Sequence, residues 1–351
     1  MVPAHTVRCG GHITLLFSID KSGRLKRNQG SRGAGFSIQH GVEISGSIRN
    51  DPECQPSTLM RGIQPDPHPV DKNPLPSSVS IIDRHGQPFM GQSLYLDYID
   101  ACRHATLVKP WESFDLHVNL ECPTSQGFGM SAAGLMAMGR LLHLLTQRGT
   151  PIQFAKIAHR IEREHGAGLG DVLGMSVGGI ELRLEPGAPG WPGHAVSFHA
   201  DAPLLLVWND AETRHTSTYI DDPKWQESIT KAGEAAVKKL REGTWNAEKW
   251  PVLLEQSREF AQSSGMLEEP TRHHVYHSVL NSIVELGMQV KVAVRLCMLG
   301  NSVVVLPRRL EEPVTPEEFT RLAQDIQRSG LDTSLTSFAS LTHQLEDGTG
   351  Q

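Results

Sequence analysis

A chain of 351 residues is long for one hydrophobic core and suits one large or two mid-sized domains. Its formal charge of −6 supplies no basic field, which argues against nucleic-acid binding through phosphate neutralisation. Five widely spaced cysteines (9, 54, 102, 122 and 297) without a CxxC pair, no signal-like N-terminus and no apolar run of membrane-spanning length together predict a soluble cytoplasmic protein with reduced thiols.

Taken in order, residues 7–19 read as a strand containing Gly10-Gly-His-Ile-Thr. A glycine cluster, Gly30-Ser-Arg-Gly-Ala-Gly, then enters an alternating strand marked by Phe36, Ile38, Val42 and Ile44. It reads either as a bulged hairpin or as backbone brought close to a small ligand. Arg32 within it is shaped to grip a carboxylate or phosphate through two nitrogens. Residues 50–90 are proline-rich with little periodicity and read as a long surface loop or insertion, to which no chemistry is assigned. Tyr95 to Leu107 suggests a helix.

The most informative stretch is strand, glycine-rich turn, helix. Leu116, Val118 and Leu120 alternate with polar residues, Pro123 stops the strand, and Gly127 and Gly129 permit a tight turn. Leu135, Met138, Leu141, Leu142 and Leu145 then mark a broad apolar helix face. The free N–H groups at that helix start favour an anion, most naturally a phosphate, although glycines used only for the bend explain the pattern as well. The chain lacks the GxxxxGK[ST] phosphate loop.

A second helix is expected after Thr150-Pro151, with Phe154, Ile157, Ala158 and Ile161 on its buried stripe. Glu162 continues that stripe. An inward carboxylate is a structural ion pair, a helix-end group reaching solvent, or a metal ligand. The turn from His165 to Asp171 is glycine-rich and ends on an acid that either caps the next segment or serves as a general base. Gly178 to Leu184 alternates as a strand. From about 195 the pattern changes to a short strand at Leu204–Trp208, helices around 225–240, 253–261, 276–287 and 319–326, and a hairpin over 292–306. His273, His274 and His277 share a helix face but have no acidic or thiol partners at ligand spacing, so they read as a solvated face.

Pro123, Gly127, Gly129, Ser131, Ala132 and Ala133 resemble the PxxxGLGSSAA motif of the GHMP kinases, with Phe128 in the leucine position and Met130 replacing the first serine. Gly11-His-Ile-Thr, Gly30-Ser-Arg-Gly-Ala-Gly, Gly168-Leu-Gly-Asp-Val172, Glu185-Pro-Gly-Ala-Pro-Gly190 and Met298-Leu-Gly-Asn-Ser302 extend the likeness to the archaeal pantoate kinase branch. Gly10 departs from the family, where proline is common, and the third motif is reduced to Leu299-Gly-Asn-Ser302.

The resemblance implies an α+β, two-domain GHMP fold. Residues 1–193 would form an N-terminal ribosomal-protein-S5-like α/β nucleotide-binding domain, and 194–351 a C-terminal α+β domain. It implies an ATP- and Mg²⁺-dependent kinase that phosphorylates pantoate to 4-phosphopantoate in coenzyme A biosynthesis, as a possible homodimer without nucleic-acid or membrane partners. Another small hydroxy acid, such as mevalonate or homoserine, is the alternative acceptor, and a non-catalytic nucleotide-binding regulator the alternative class. The implied nucleotide loop is Pro123, Thr124, Ser125, Gln126, Gly127, Phe128, Gly129, Met130, Ser131 and Ala132. Ser131 and Glu162 would hold Mg²⁺, and Asp171 would be the catalytic base. For the acceptor we assign His12, Ser31, Arg32 and Gly33, with Arg32 on the carboxylate.

Overall fold

The computed structural model describes residues 4–50, 76–210, 222–312 and 314–339. Two sheets share one continuous hydrophobic core. The first has six strands. Strand β1 (His5–Phe17) pairs antiparallel with the long β2 (Gly33–Asn50), and the order across the rest is β3 (Ser78–Ile82), β4 (Glu112–Leu120), β2, β5 (Ile180–Glu185), β6 (His194–Phe198). β3 runs parallel to β4. Helices α1 (Gln92–His104), α2 (Met130–Thr146), α3 (Pro151–His165) and the short α4 (Asp171–Val177) belong to this half.

Part of the 50–90 segment is therefore structured. Residues 51–75 lie outside the described residues, but 78–82 form a sheet strand, and Phe89 and Gly91 reach the site described below. The five residues of β3 are too short for alternation to stand out among prolines, and pairing to β4 supplies what local propensity lacks.

The expected boundary at 193/194 falls just before β6, which hydrogen-bonds to β5 within the first sheet. The second sheet is antiparallel, in the order β10 (Asp332–Ser337), β7 (Pro203–Trp208), β9 (Ser302–Pro307), β8 (Val292–Cys297). The chain continues through α5 (Pro223–Leu240), which packs on β1, β2 and β5 of the first sheet and on α6 (Trp250–Ser263), while α6, α7 (Pro270–Glu285) and α8 (Pro316–Arg328) pack on the second sheet. The polar strand Asp-Thr-Ser-Leu-Thr-Ser of β10 carries no apolar alternation and escapes a sequence reading.

Helix ends follow local chemistry. Thr150 and Gln153 form a reciprocal capping box with Pro151 in the first turn of α3. Thr315 and Glu318 do the same for α8. α2 differs: Gly129 precedes it in a left-handed conformation and no side chain caps it. It also begins at Met130, ahead of the apolar run from Leu135, because Ser131, Ala132 and Ala133 are small enough to pack while helical. Its first N–H groups thus remain for a ligand.

Candidate active site

The turn between β4 and α2 is bent by three residues with positive φ: Ser125 (60°), Gly127 (81°) and Gly129 (65°). It is wedged between two other parts of the chain. A Cβ built on Gly129 would lie 2.9 Å from the His12 backbone, and one on Gly127 would lie 2.8 Å from the Cys297 carbonyl. The His12 N–H donates to the Phe128 carbonyl at 3.0 Å, and the Ser302 hydroxyl donates to the Gln126 carbonyl. Met298 N–H donates to Thr14 O at 3.0 Å, tying the β8–β9 turn to β1. The reduced third motif thus supports the loop from beneath.

A cavity of ≈ 330 Å³ opens in front of this loop. Pro123, Thr124, Ser125, Gly127, Phe128, Gly129, Met130 and Ser131 all line it. Gln126 and Ala132, expected in the same set, are buried and do not; the Gln126 amide instead donates to the Asn209 carbonyl at 3.0 Å. Ile81, Phe89, Leu94 and Tyr95 add an apolar wall that the sequence reading missed. Among the described residues no lysine or arginine lines the cavity, so an anion there would rest on backbone N–H groups and the α2 dipole.

On the far wall, Asp171 begins α4. Its Oδ1 is 2.7 Å from His12 Nδ1 and accepts from the Thr14 hydroxyl at 3.3 Å. His12 is fully buried, and its Nε2 lies 3.2 Å from Glu181 Oε1. Burial alone would favour the neutral imidazole, but Glu181 and Asp171 together outweigh it and raise the His12 pKa to about 9. Burial likewise works against the Asp171 charge, yet His12, Arg183 and Thr14 hold that carboxyl below its ordinary range. The pair stands as imidazolium and carboxylate.

Glu162 is buried at the end of α3 and accepts from the Ser131 hydroxyl at 2.9 Å. Burial, then the charge of Asp171, push its pKa well above the carboxylate range. A Cβ on Gly168 would meet Glu162 Oε1 and Asp171 Oδ2 at 2.8 Å each. Two carboxylates therefore converge on a hollow left by a missing side chain, beside a hydroxyl. Among the described residues no cluster of three His, Cys, Asp or Glu forms an all-protein metal cage. Few protein oxygens and room for water and phosphate oxygens suit a hard cation such as Mg²⁺.

The expected acceptor residues separate. Ser31 lines the cavity. His12 does not; it stands behind Asp171. Gly33 is packed against Leu16 O and Arg183. Arg32 turns away from the cavity: it donates to Leu184 O at 3.2 Å, Glu185 at 2.9 Å and Glu234 at 3.3 Å. Three acceptors already satisfy it, which removes the basis for placing it on a substrate carboxylate.

Arg183 is the missed residue. It is fully buried, and Nη1 donates to Thr14 at 3.2 Å and to Glu181 at 3.0 Å, while Nε and Nη2 have no partner. A Cβ on Gly170 would lie 2.3 Å from Ser31 Oγ and 2.9 Å from Arg183 Nε, so Arg183 is packed behind the stretch of wall that Ser31 and Gly170 form. The signal was an opposite-charge pair, Glu181 and Arg183, two residues apart on a strand read as alternating. On α7 the His273 and His277 rings lie 4.1 Å apart, and the His277 ring also meets Tyr276.

Residues 95–179 match the profile of the GHMP kinases N terminal domain. The chain is 29% identical over 244 residues to the pantoate kinase of Thermococcus kodakarensis, covering 68% of this chain and 69% of the relative. It is 23% identical over 308 residues to the pantoate kinase of Methanocaldococcus jannaschii, covering 85% and 91%. A solved structure described as a phosphotransferase related to the CoA biosynthesis pathway superposes with a TM-score of 0.70 at 21% identity, over 96% of both chains. Profile, relatives and fold agree in what the chain is similar to: residues 95–179 match the GHMP kinases N terminal domain, and most of the chain resembles pantoate kinases.

Proposed function

We propose that this protein transfers the γ-phosphoryl group of ATP to the hydroxyl of pantoate, giving 4-phosphopantoate and ADP for coenzyme A biosynthesis. The observation that carries the reading is Asp171, held ionised by His12 and Thr14 on the wall facing the uncapped start of α2. Phosphates on the α2 N–H groups and an acceptor beside Ser31 would meet in front of that carboxylate. Asp171 would accept or orient the proton of the attacking hydroxyl, while the N–H groups of Met130 and Ser131 stabilise charge on the transferred group. Phe89, Ile81 and Leu94 give an apolar surface for the base and exclude water there.

Mg²⁺ fits the Ser131 hydroxyl and Glu162 and, when bound, neutralises phosphate charge. Arg183 lies fully buried behind the wall formed by Gly170 and Ser31, so its charge would act through Thr14, Glu181 and Asp171 and not by direct contact with the acceptor. Likeness to relatives named pantoate kinases supports the choice of acceptor. Among the described residues, four buried free cysteines support a reducing, cytoplasmic setting. The sheets on either side of residue 200 support two domains with a boundary near it.

The test is ADP release with ATP and Mg²⁺ against pantoate, mevalonate, homoserine and shikimate, on the wild type and Asp171→Asn. Release with pantoate alone is expected, falling at least about a hundredfold in the variant with ATP binding retained. Release with another acceptor would overturn the substrate, and near-normal turnover in the variant would overturn the role of Asp171. ATP binding without release on any acceptor would favour a regulator.

A further inference from the structure

A second cavity, of ≈ 390 Å³, lies along β8 between α6 and α7, apart from the nucleotide loop. Its apolar floor comes from Leu254, Leu280, Ile283 and Val284, and Val284 is 56% exposed. Three arginines line it: Arg258, Arg295 and Arg308. Arg295 is only 7% exposed. Its Nε donates to Leu254 O at 2.7 Å and Ser257 Oγ at 2.9 Å, and Nη1 donates to Val294 O at 2.6 Å. Among the described residues Nη2 has no protein partner, and none of the three guanidinium groups is paired with a carboxylate. Arg308 is held by Gln289 O at 2.8 Å. Among the described residues, exposed Glu255 is the only acid lining the cavity.

This arrangement is electrostatically incomplete. A buried cation without a counter-charge is costly, and a second and third cation nearby add repulsion. Burial lowers the Arg295 pKa to about 10, with Arg308 and Arg258 acting in the same direction and Tyr276 opposing them. Three other arginines are paired with acids, two of them fully buried: Arg148 with Glu112, Arg272 with Glu269, Arg183 with Glu181. An anion is the missing partner here. Guanidinium forks match phosphate oxygens, and the aliphatic floor with Tyr276 matches an apolar body.

We propose that the groove between α6, α7 and β8 binds a small organic phosphate, its phosphate on Arg258, Arg295 and Arg308 and its apolar part on Leu254, Leu280 and Ile283. The inference stands apart from the kinase reading, since no residue of the groove lines the nucleotide cavity.

The test is isothermal titration of phenyl phosphate into the full chain. Saturable binding is expected. Removing both exposed guanidinium groups in R258A/R308A weakens it at least about tenfold, the equivalent of one charge-assisted contact. Because both side chains are on the surface, that variant keeps its fold, checked by its thermal midpoint, whereas Arg295→Ala would risk the core. Ser131→Ala leaves phenyl phosphate affinity unchanged, and phenol or inorganic phosphate alone binds more weakly. No saturable heat in the wild type, undiminished affinity in R258A/R308A, or loss in Ser131→Ala would each overturn the proposal. Inorganic phosphate binding as tightly as phenyl phosphate would overturn the organic part.

Discussion

Asp171 works only as well as the groups behind it. A carboxylate at a cavity wall, with Glu162 close by, would be driven toward its neutral form by burial and like charge. His12 prevents this, and His12 in turn keeps its proton because Glu181 lies against its other nitrogen. The chain Glu181–His12–Asp171 alternates acid, base, acid, with Arg183 balancing the innermost charge. This arrangement predicts a pH dependence of stability. The His12 pKa is about 9 in the folded chain against an ordinary 6.5, so its contribution is fully present below pH 6.5 and is lost as pH rises toward 9. The loss is on the order of 3 kcal/mol. Glu181→Gln removes one of the two carboxylates that raise the pKa, the one with the larger effect, and so reduces this loss. Urea denaturation at pH 6.5, 7.5 and 9 checks it, and an unchanged slope in the variant would show that His12 is not the titrating group.

At the scale of elements, the strand–turn–helix unit was legible because each part has a local cause: alternation to Leu120, a stop at Pro123, glycines where φ is positive, small residues, then leucines. Glu162 was legible as inward by helical periodicity, and Asp171 by its place after a glycine-rich turn. What was not legible depends on tertiary covering. Glu181 and Arg183 sit on a strand face that looks solvent-facing until β1 and α4 pack against it. Arg32 looked free until Glu185 and Glu234, 153 and 202 residues away, met it. Phe89 acquired a role only through the pairing of β3 with β4. The loop itself carries a prediction. Gly127→Ala places a Cβ at positive φ and 2.8 Å from the Cys297 carbonyl. A left-handed non-glycine residue costs about 1–2 kcal/mol, so thermal stability falls by that order. Because the loop moves away from the β8–β9 turn, the apparent KM for ATP rises at least about tenfold. A KM unchanged alongside a lowered midpoint would separate the loop's structural role from nucleotide binding.

Across the whole molecule, the cavity proposed to hold the nucleotide is assembled from distant stretches: Thr14 and Ser31, the segment from Ile81 to Tyr95, the β4–α2 loop, the turn before Asp171, and Met298 with Leu299 from the β8–β9 turn. No single part holds a complete site. A ligand that touches all of them binds the folded chain and not the unfolded one, so it stabilises by mass action, by ~2.7 kcal/mol at a hundred times its Kd. A non-hydrolysable ATP analogue with Mg²⁺ is therefore expected to raise the thermal midpoint by several degrees. Omitting Mg²⁺ reduces the gain, because the Glu162 carboxyl and the phosphates then face each other without a cation between them. The bridging makes a sharper demand on hydrogen exchange. Protection must increase at the β4–α2 loop and also at residues 298–300, which are more than 160 positions further along the chain. Protection confined to the loop would mean that the second sheet does not close on the nucleotide, and the wedge of Gly127 and Gly129 between β1 and the β8–β9 turn would then serve stability alone.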